Sequence, residues 1–197
     1  MKTISDAATL HRRALDLVGD LVARVTPADL GRPTPCAGWD LRRLLAHAIG
    51  QNHGFADAAE RDAGIESFAD RPPGADPARE WSESATRVAD ALAAAAADPD
   101  RTLLLAEFAA FGRIPARVVQ GMHLLDTVVH GWDVATALEL PYRPDDELVE
   151  ATLRIARTVP DDESRTRPGA SFGPAVPGEP DDPWLLALHL LGRRPTG

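Results

Sequence analysis

Apolar residues recur every three or four positions over most of this chain, the period of an amphipathic helix rather than of a strand. The first run reads Leu10, Ala14, Leu17, Leu21 and Val25, with Ser5 or Asp6 placed to cap it and Pro27 to close it. Residues 31–40 are turn chemistry, with two prolines and two glycines, ending on Asp40 as an N-cap. A second helix is predicted from Leu41 to about Arg61, its inner face formed by Leu44, Leu45, Ala48, Ile49, Asn52 and Phe55. Residues 63–77 hold Gly64, Pro72, Pro73, Gly74 and Pro77 and read as a long loop. Pro77 then takes the first position of a third helix, where its missing N–H is not needed. Trp81, Ala85, Val88 and Leu92 form that helix's stripe, and the Asp98-Pro99-Asp100 run stops it.

Residues 101–114 fit either a short strand-like stretch or a loop with apolar anchors. Pro115 opens a fourth long helix lined by Val118, Val119, Met122, Leu125, Val129, Trp132 and Ala135 or Thr136, ending near Leu140 and Pro141. A fifth runs from Pro144 to about Thr158, with Leu148, Ala151, Thr152 and Ile155 inward. Residues 160–183 are rich in Pro, Gly and Asp, hence surface loop, and Trp184 to Leu191 form a last short helix stopped by Gly192. There is no internal repeat and no period-two run long enough for a sheet. Helices over 5–25, 40–61, 78–97 and 115–139 predict an all-α fold. It is a four-helix bundle with one or two accessory short helices, a single domain spanning 1–197.

Composition narrows the function classes. The 197 residues are 44% hydrophobic, enough for a core, and carry a formal net charge of −9. An acidic chain whose only lysine is Lys2 is a poor partner for nucleic acid or an anionic membrane. One cysteine, Cys36, excludes an internal disulfide and suits a reducing cytosol. The N-terminus has no apolar signal core, and no stretch approaches eighteen uninterrupted apolar residues, so a soluble, cytoplasmic protein is expected.

The candidate chemistry sits in 122–133, MHLLDTVVHGWD. Asp126 and His130 are four apart, which on a helix puts carboxylate and imidazole on one face, one turn apart. His47, on the second helix, is the candidate third ligand, and Gly50 and Gly54 near its face would leave space for a bound molecule. Two imidazoles and one carboxylate make an open three-ligand centre, catalytic in style, since structural zinc sites are closed by four ligands. The donors suit zinc or nickel first, and admit iron or manganese.

The remaining candidates are secondary. His123, on the same face as Asp126, is expected as pocket wall or as a partner of that carboxylate, too far from His130 to share one ion with it. Asp133, three after His130, either holds the second ring nitrogen or is a surface carboxylate. Cys36 is expected as a small packing residue rather than a nucleophile, and His53 as a solvated histidine. His11 and His189 have no local partner and receive no role. No phosphate-binding glycine loop and no Gly-x-Ser-x-Gly elbow is present, which argues against nucleotide-dependent enzymes and α/β-hydrolases.

Three segments carry a family resemblance: TPCAGWDLRRLLAHAIG (34–50), HLLDTVVHGWDVATAL (123–138) and FGPAVP (172–177). The chain resembles actinobacterial metal-binding proteins related to the mycothiol-dependent maleylpyruvate isomerase N-terminal domain, in the DinB-like superfamily. The resemblance implies a DinB-like four-helix bundle with a divalent metal on His47, Asp126 and His130. The isomerase carries a glutamate where this chain has Asp126, and the chain lacks room for the isomerase's further C-terminal domain. The expected function is therefore a metal-dependent thiol S-transferase, or an isomerase-like enzyme, that pairs mycothiol with a small electrophile. The alternative is a non-catalytic metal-binding module of the same fold. A homodimer is compatible with either.

Overall fold

The computed structural model describes residues 6–167 and 170–195, and Ser5 falls outside them. Among the described residues the fold is all-α apart from one small hairpin. The chain forms two compact units, Met1–Tyr142 and Arg143–Gly197.

The first unit is a DinB-like four-helix bundle made of α1 (Ala7–Val22), α2 (Leu41–Glu60), α3 (Pro77–Ala97) and α4 (Ala116–Ala137). Each of the first three starts on an aspartate whose carboxylate accepts a backbone N–H left orphaned by the first turn. Asp6 accepts from Thr9, Asp40 from Arg43 and Asp76 from Arg79. In the bundle α1 packs on α4 and α3, and α2 packs on α3 and α4. Leu15, Val18, Leu41, Leu44, Leu45, Val88, Leu92 and Val119 are almost wholly enclosed there. Removing any one of these side chains to alanine deletes packing worth roughly 2–5 kcal/mol.

The stripe of α1 is rotated from the expected one. Leu10, His11, Ala14, Leu15, Val18, Leu21 and Val22 are buried, Leu17 is only partly covered, and Val25 lies past the helix end. The Trp81 indole explains part of this, since its Nε1 donates to the Leu15 carbonyl at 3.2 Å and draws that turn of α1 onto α3. On α4, Val118 and Thr136 point outward while Gln120, His123 and Thr127 are enclosed. The helix is buried on nearly every side, so no single stripe marks its inner face.

The ambiguous 101–114 segment is a hairpin of two three-residue strands, β1 (Thr102–Leu104) and β2 (Arg113–Pro115), antiparallel with Leu103 opposite Ile114. Between them a tight turn of helix over Ala106–Phe111 carries Glu107. The loop after α2 also differs from expectation. Phe68 and Ala69 fill the space beside Gly54 and Gly50, where a Cβ would collide with the Phe68 ring and the Ala69 carbonyl. These glycines admit the loop, not a ligand.

In the second unit α5 (Asp146–Ala156) packs on α6 (Pro183–Leu190). The segment between them is tied down by Arg165, a nearly enclosed residue. Its guanidinium donates to the carbonyls of Pro160 at 2.7 Å, Gly173 at 3.1 Å, Leu190 at 2.6 Å and Val159 at 3.2 Å. Gly192 adopts φ +76°, the left-handed conformation that ends α6 without strain. Among the described residues no helix is long and apolar enough to cross a membrane.

Candidate metal centre

Helix α2 carries His47 two turns in from the Asp40 cap, and α4 carries Asp126, His130 and Asp133 along one stripe. Packing of α2 on α4 brings the two sets together. The rings of His47 and His130 lie edge to face with centroids 5.5 Å apart. The Nε2 atom of His130 is 3.5 Å from Asp126 Oδ1.

That separation is long for a hydrogen bond. It is the spacing two donors have on one ion, because bonds of 2.0–2.2 Å at a tetrahedral angle set the donors about 3.4 Å apart. The other edge of each ring is engaged. His130 Nδ1 lies 2.9 Å from Asp133 Oδ2, and His47 Nδ1 lies 3.4 Å from Asp70 Oδ1. A carboxylate can only accept, so Asp133 holds a proton on His130 Nδ1, and an ion at Nε2 would take the place of the second ring proton; the longer Asp70 contact biases His47 the same way. A carboxylate on the far nitrogen is the usual support of a metal-ligating histidine. Asp126 and His130 therefore stand as two donors of a divalent ion would, while His47 meets them through the ring contact with His130; among the described residues the three donor groups that do close on one another are Cys36, His130 and Asp133.

Electrostatics mark the same place. Burial opposes charge on His130, but Asp126, Asp133 and a hydrogen bond with Cys36 outweigh it and push the imidazole up to about 10. Burial holds His47 below the usual imidazole range, with Asp126 and Asp70 pulling the other way. Desolvation raises the Glu107 carboxyl. A hydrogen bond from Gln51 Nε2 at 3.2 Å opposes the rise, while the negative charges of Asp126 and Asp70 add to it. Gln51 is one turn after His47 on α2, so it brings the Glu107 turn towards the same face of the bundle. Four carboxylates, Asp70, Glu107, Asp126 and Asp133, thus gather around two histidines, an arrangement that a cation relieves.

Trp39 closes one side. Its ring stands 4.9 Å from the His47 ring and stacks on His130 at 6.5 Å. Arg43 lies over the indole at 4.9 Å, a cation–π contact. In front of Trp39 opens a cavity of about 750 Å³, lined among others by Arg42, Arg43, Ala46, Asp70 and Pro72. Trp39 and Asp70 are shared between this cavity and the His47 surroundings.

The other candidates fall as follows. Asp133 is wholly enclosed, not a surface carboxylate, and accepts from His130 and from the Cys36 thiol at 3.3 Å. Cys36 is half-buried, packs against the core as expected, and also belongs to this network. His123 does not meet Asp126 among the described contacts. Its Nδ1 is 2.7 Å from Nε2 of His11, and Phe55 stands against its ring at 4.7 Å. His11 therefore has a partner 112 positions away that no local pattern could reveal. His53 is half-buried beside Arg87, 3.4 Å from its guanidinium.

Asp70, Glu107 and Gln51 were not singled out by the sequence patterns, and Trp39 entered only within the TPCAGWD segment of the family resemblance, with no role assigned. Asp70 and Glu107 sit in loops whose paths no periodicity reports. Gln51 alone carried a signal, as the residue one helical turn beyond His47.

Comparison with known proteins shows the family of the chain. The family model described as the mycothiol maleylpyruvate isomerase N-terminal domain matches residues 11–135, the span that contains all three candidate ligands. Two uncharacterized proteins of Mycobacterium tuberculosis, from strains CDC 1551 / Oshkosh and ATCC 25618 / H37Rv, are each 32% identical over 172 residues, 87% of this chain and 88% of theirs. No solved structure matches. This chain belongs to the mycothiol maleylpyruvate isomerase N-terminal domain family.

Proposed function

We propose that His47, Asp126 and His130 hold a divalent ion, and that the protein is a metal-dependent S-transferase or isomerase-like enzyme joining a low-molecular-weight thiol, mycothiol, to a small electrophile. The observation that carries the reading is the double engagement of His130, with Nδ1 at 2.9 Å from Asp133 and Nε2 at ligand spacing from Asp126. The ion, zinc or nickel first, supplies Lewis acidity that favours the thiolate form of a coordinated thiol.

The chain's own residues do the rest. Asp70 and Asp133 keep both imidazoles in the tautomer that offers Nε2. Trp39 walls the centre on one side and shares the cavity in which a small molecule would lie. Glu107, its carboxyl raised by desolvation, stands on the Gln51 side and holds a proton more readily than an exposed glutamate. Cys36 is not required as nucleophile, because the cosubstrate brings its own sulfur. The family's name supports the choice of mycothiol.

The test is thiol-dependent consumption of a panel of electrophiles by protein loaded separately with zinc, nickel, manganese or iron. Turnover that requires both thiol and metal is expected. Tight metal binding with no thiol-dependent turnover would leave a non-catalytic metal-binding module.

A further inference from the structure

The second edge of the His130 ring offers a different donor set. Cys36 Sγ, His130 Nδ1 and an Asp133 oxygen lie within 4.8 Å of one another. Asp133 Oδ2 is the hub, 3.3 Å from the thiol and 2.9 Å from the imidazole nitrogen. The thiol is held there by its turn. Thr34 Oγ1 accepts the Cys36 N–H at 3.2 Å, and the Trp39 N–H donates to the Cys36 carbonyl at 2.9 Å.

We propose that Cys36, His130 and Asp133 form a second cation site, on the Nδ1 edge of His130, selective for a thiophilic divalent ion such as cadmium. Two arguments carry it. As co-ligands, thiolate and carboxylate together balance a doubly charged ion in an enclosed place, where an uncompensated charge is costly. The donors also differ in kind. The Nε2 side offers only nitrogen and oxygen, whereas this side offers sulfur, which selects softer ions. Binding exchanges two protons, one from the thiol and one from Nδ1, for the ion.

The proposal does not require an ion on His47, and the test separates the two sites. The metal-stripped full chain is titrated with cadmium while thiolate-to-metal charge-transfer absorption is followed. Cys36 is the only cysteine, so any such band reports it. The expected result is a band that saturates at one ion per chain, persists in His47→Ala and is lost in Cys36→Ser. In Asp133→Asn the affinity should fall at least about tenfold, as for loss of a metal-supporting carboxylate. Cys36→Ser removes no buried charge, and its far-ultraviolet circular dichroism confirms that it folds. No band in the wild type at saturating cadmium would overturn the proposal. So would a band of unchanged affinity in Asp133→Asn, which is adventitious thiol ligation, or loss of the band in His47→Ala, which would make Cys36 part of the first centre. A persistent band in a chain that zinc fails to stabilise would overturn the His47 centre and leave this site standing.

Discussion

Asp133 lies three positions beyond His130 on α4, wholly enclosed, with Oδ2 2.9 Å from His130 Nδ1. One backbone helix thus carries the imidazole, the carboxylate that orients it, and Asp126 on its other edge. If Asp133 sets the tautomer of His130, Asp133→Asn should weaken zinc or nickel binding about 10- to 100-fold without abolishing it. Competition against a chromophoric chelator measures this directly, and an unchanged dissociation constant would deny Asp133 that role.

Asp126→Glu extends the carboxylate by one methylene from a position where Oδ1 is 3.5 Å from His130 Nε2. Side-chain torsions can absorb that length, so the variant should retain one ion per chain, with an altered order of preference among zinc, nickel and manganese. Elemental analysis after growth in mixed metals reads both quantities. Loss of all metal would show that the site needs the shorter acid.

The buried His11–His123 pair makes the bundle sensitive to acid. Burial, reinforced by Arg12, lowers His11 from 6.5 to about 4, and burial with His11 lowers His123 in the same direction. Both groups bind protons more readily in the unfolded chain. Their stabilisation is complete above about pH 6.5 and is lost as pH falls towards about 4. For His11 alone, unfolding free energy near pH 5 should be lower than near pH 7.5 by about 2 kcal/mol. Urea denaturation at the two pH values checks the sign, and equal stabilities would contradict a neutral buried pair.

Gly54 faces the Phe68 ring with no room for a Cβ, while Gly31 has no heavy atom in reach. Gly54→Ala should destabilise the protein by about 1–3 kcal/mol, the usual cost of overpacking, and Gly31→Ala should be nearly neutral. Thermal denaturation of the two variants side by side measures the difference.

The parts of this account legible in the sequence are those governed by local rules. Helix starts at Asp40 and Asp76, the long α2, α3 and α4, and the spacing of Asp126, His130 and Asp133 follow from capping and the 3.6-residue period. The face of α1 was less legible, because two overlapping stripes fit its apolar residues and its packing on α3 and α4, with the Trp81 bond to Leu15, selects one. Gly50 and Gly54 were misread for the same reason, since a small residue does not say which neighbour fills its space. Asp70 and Glu107 were invisible because loops of irregular path deliver them. Cys36 reaches Asp133 across 97 positions, and His11 reaches His123 across 112, and no one-dimensional pattern encodes either.

The central claim is a divalent ion on His47, Asp126 and His130, residues of two helices that pack on each other only in the folded bundle. The most direct measurement is the metal-induced rise in melting temperature of the chelator-stripped protein and its alanine variants. A ligand that binds the native state alone stabilises it by about 2.7 kcal/mol at a hundredfold excess over its dissociation constant. The wild type should show this rise and His123→Ala should keep most of it. His47→Ala, Asp126→Ala and His130→Ala should each lose it. Stoichiometric metal and an undiminished rise in His47→Ala or His130→Ala would contradict the account.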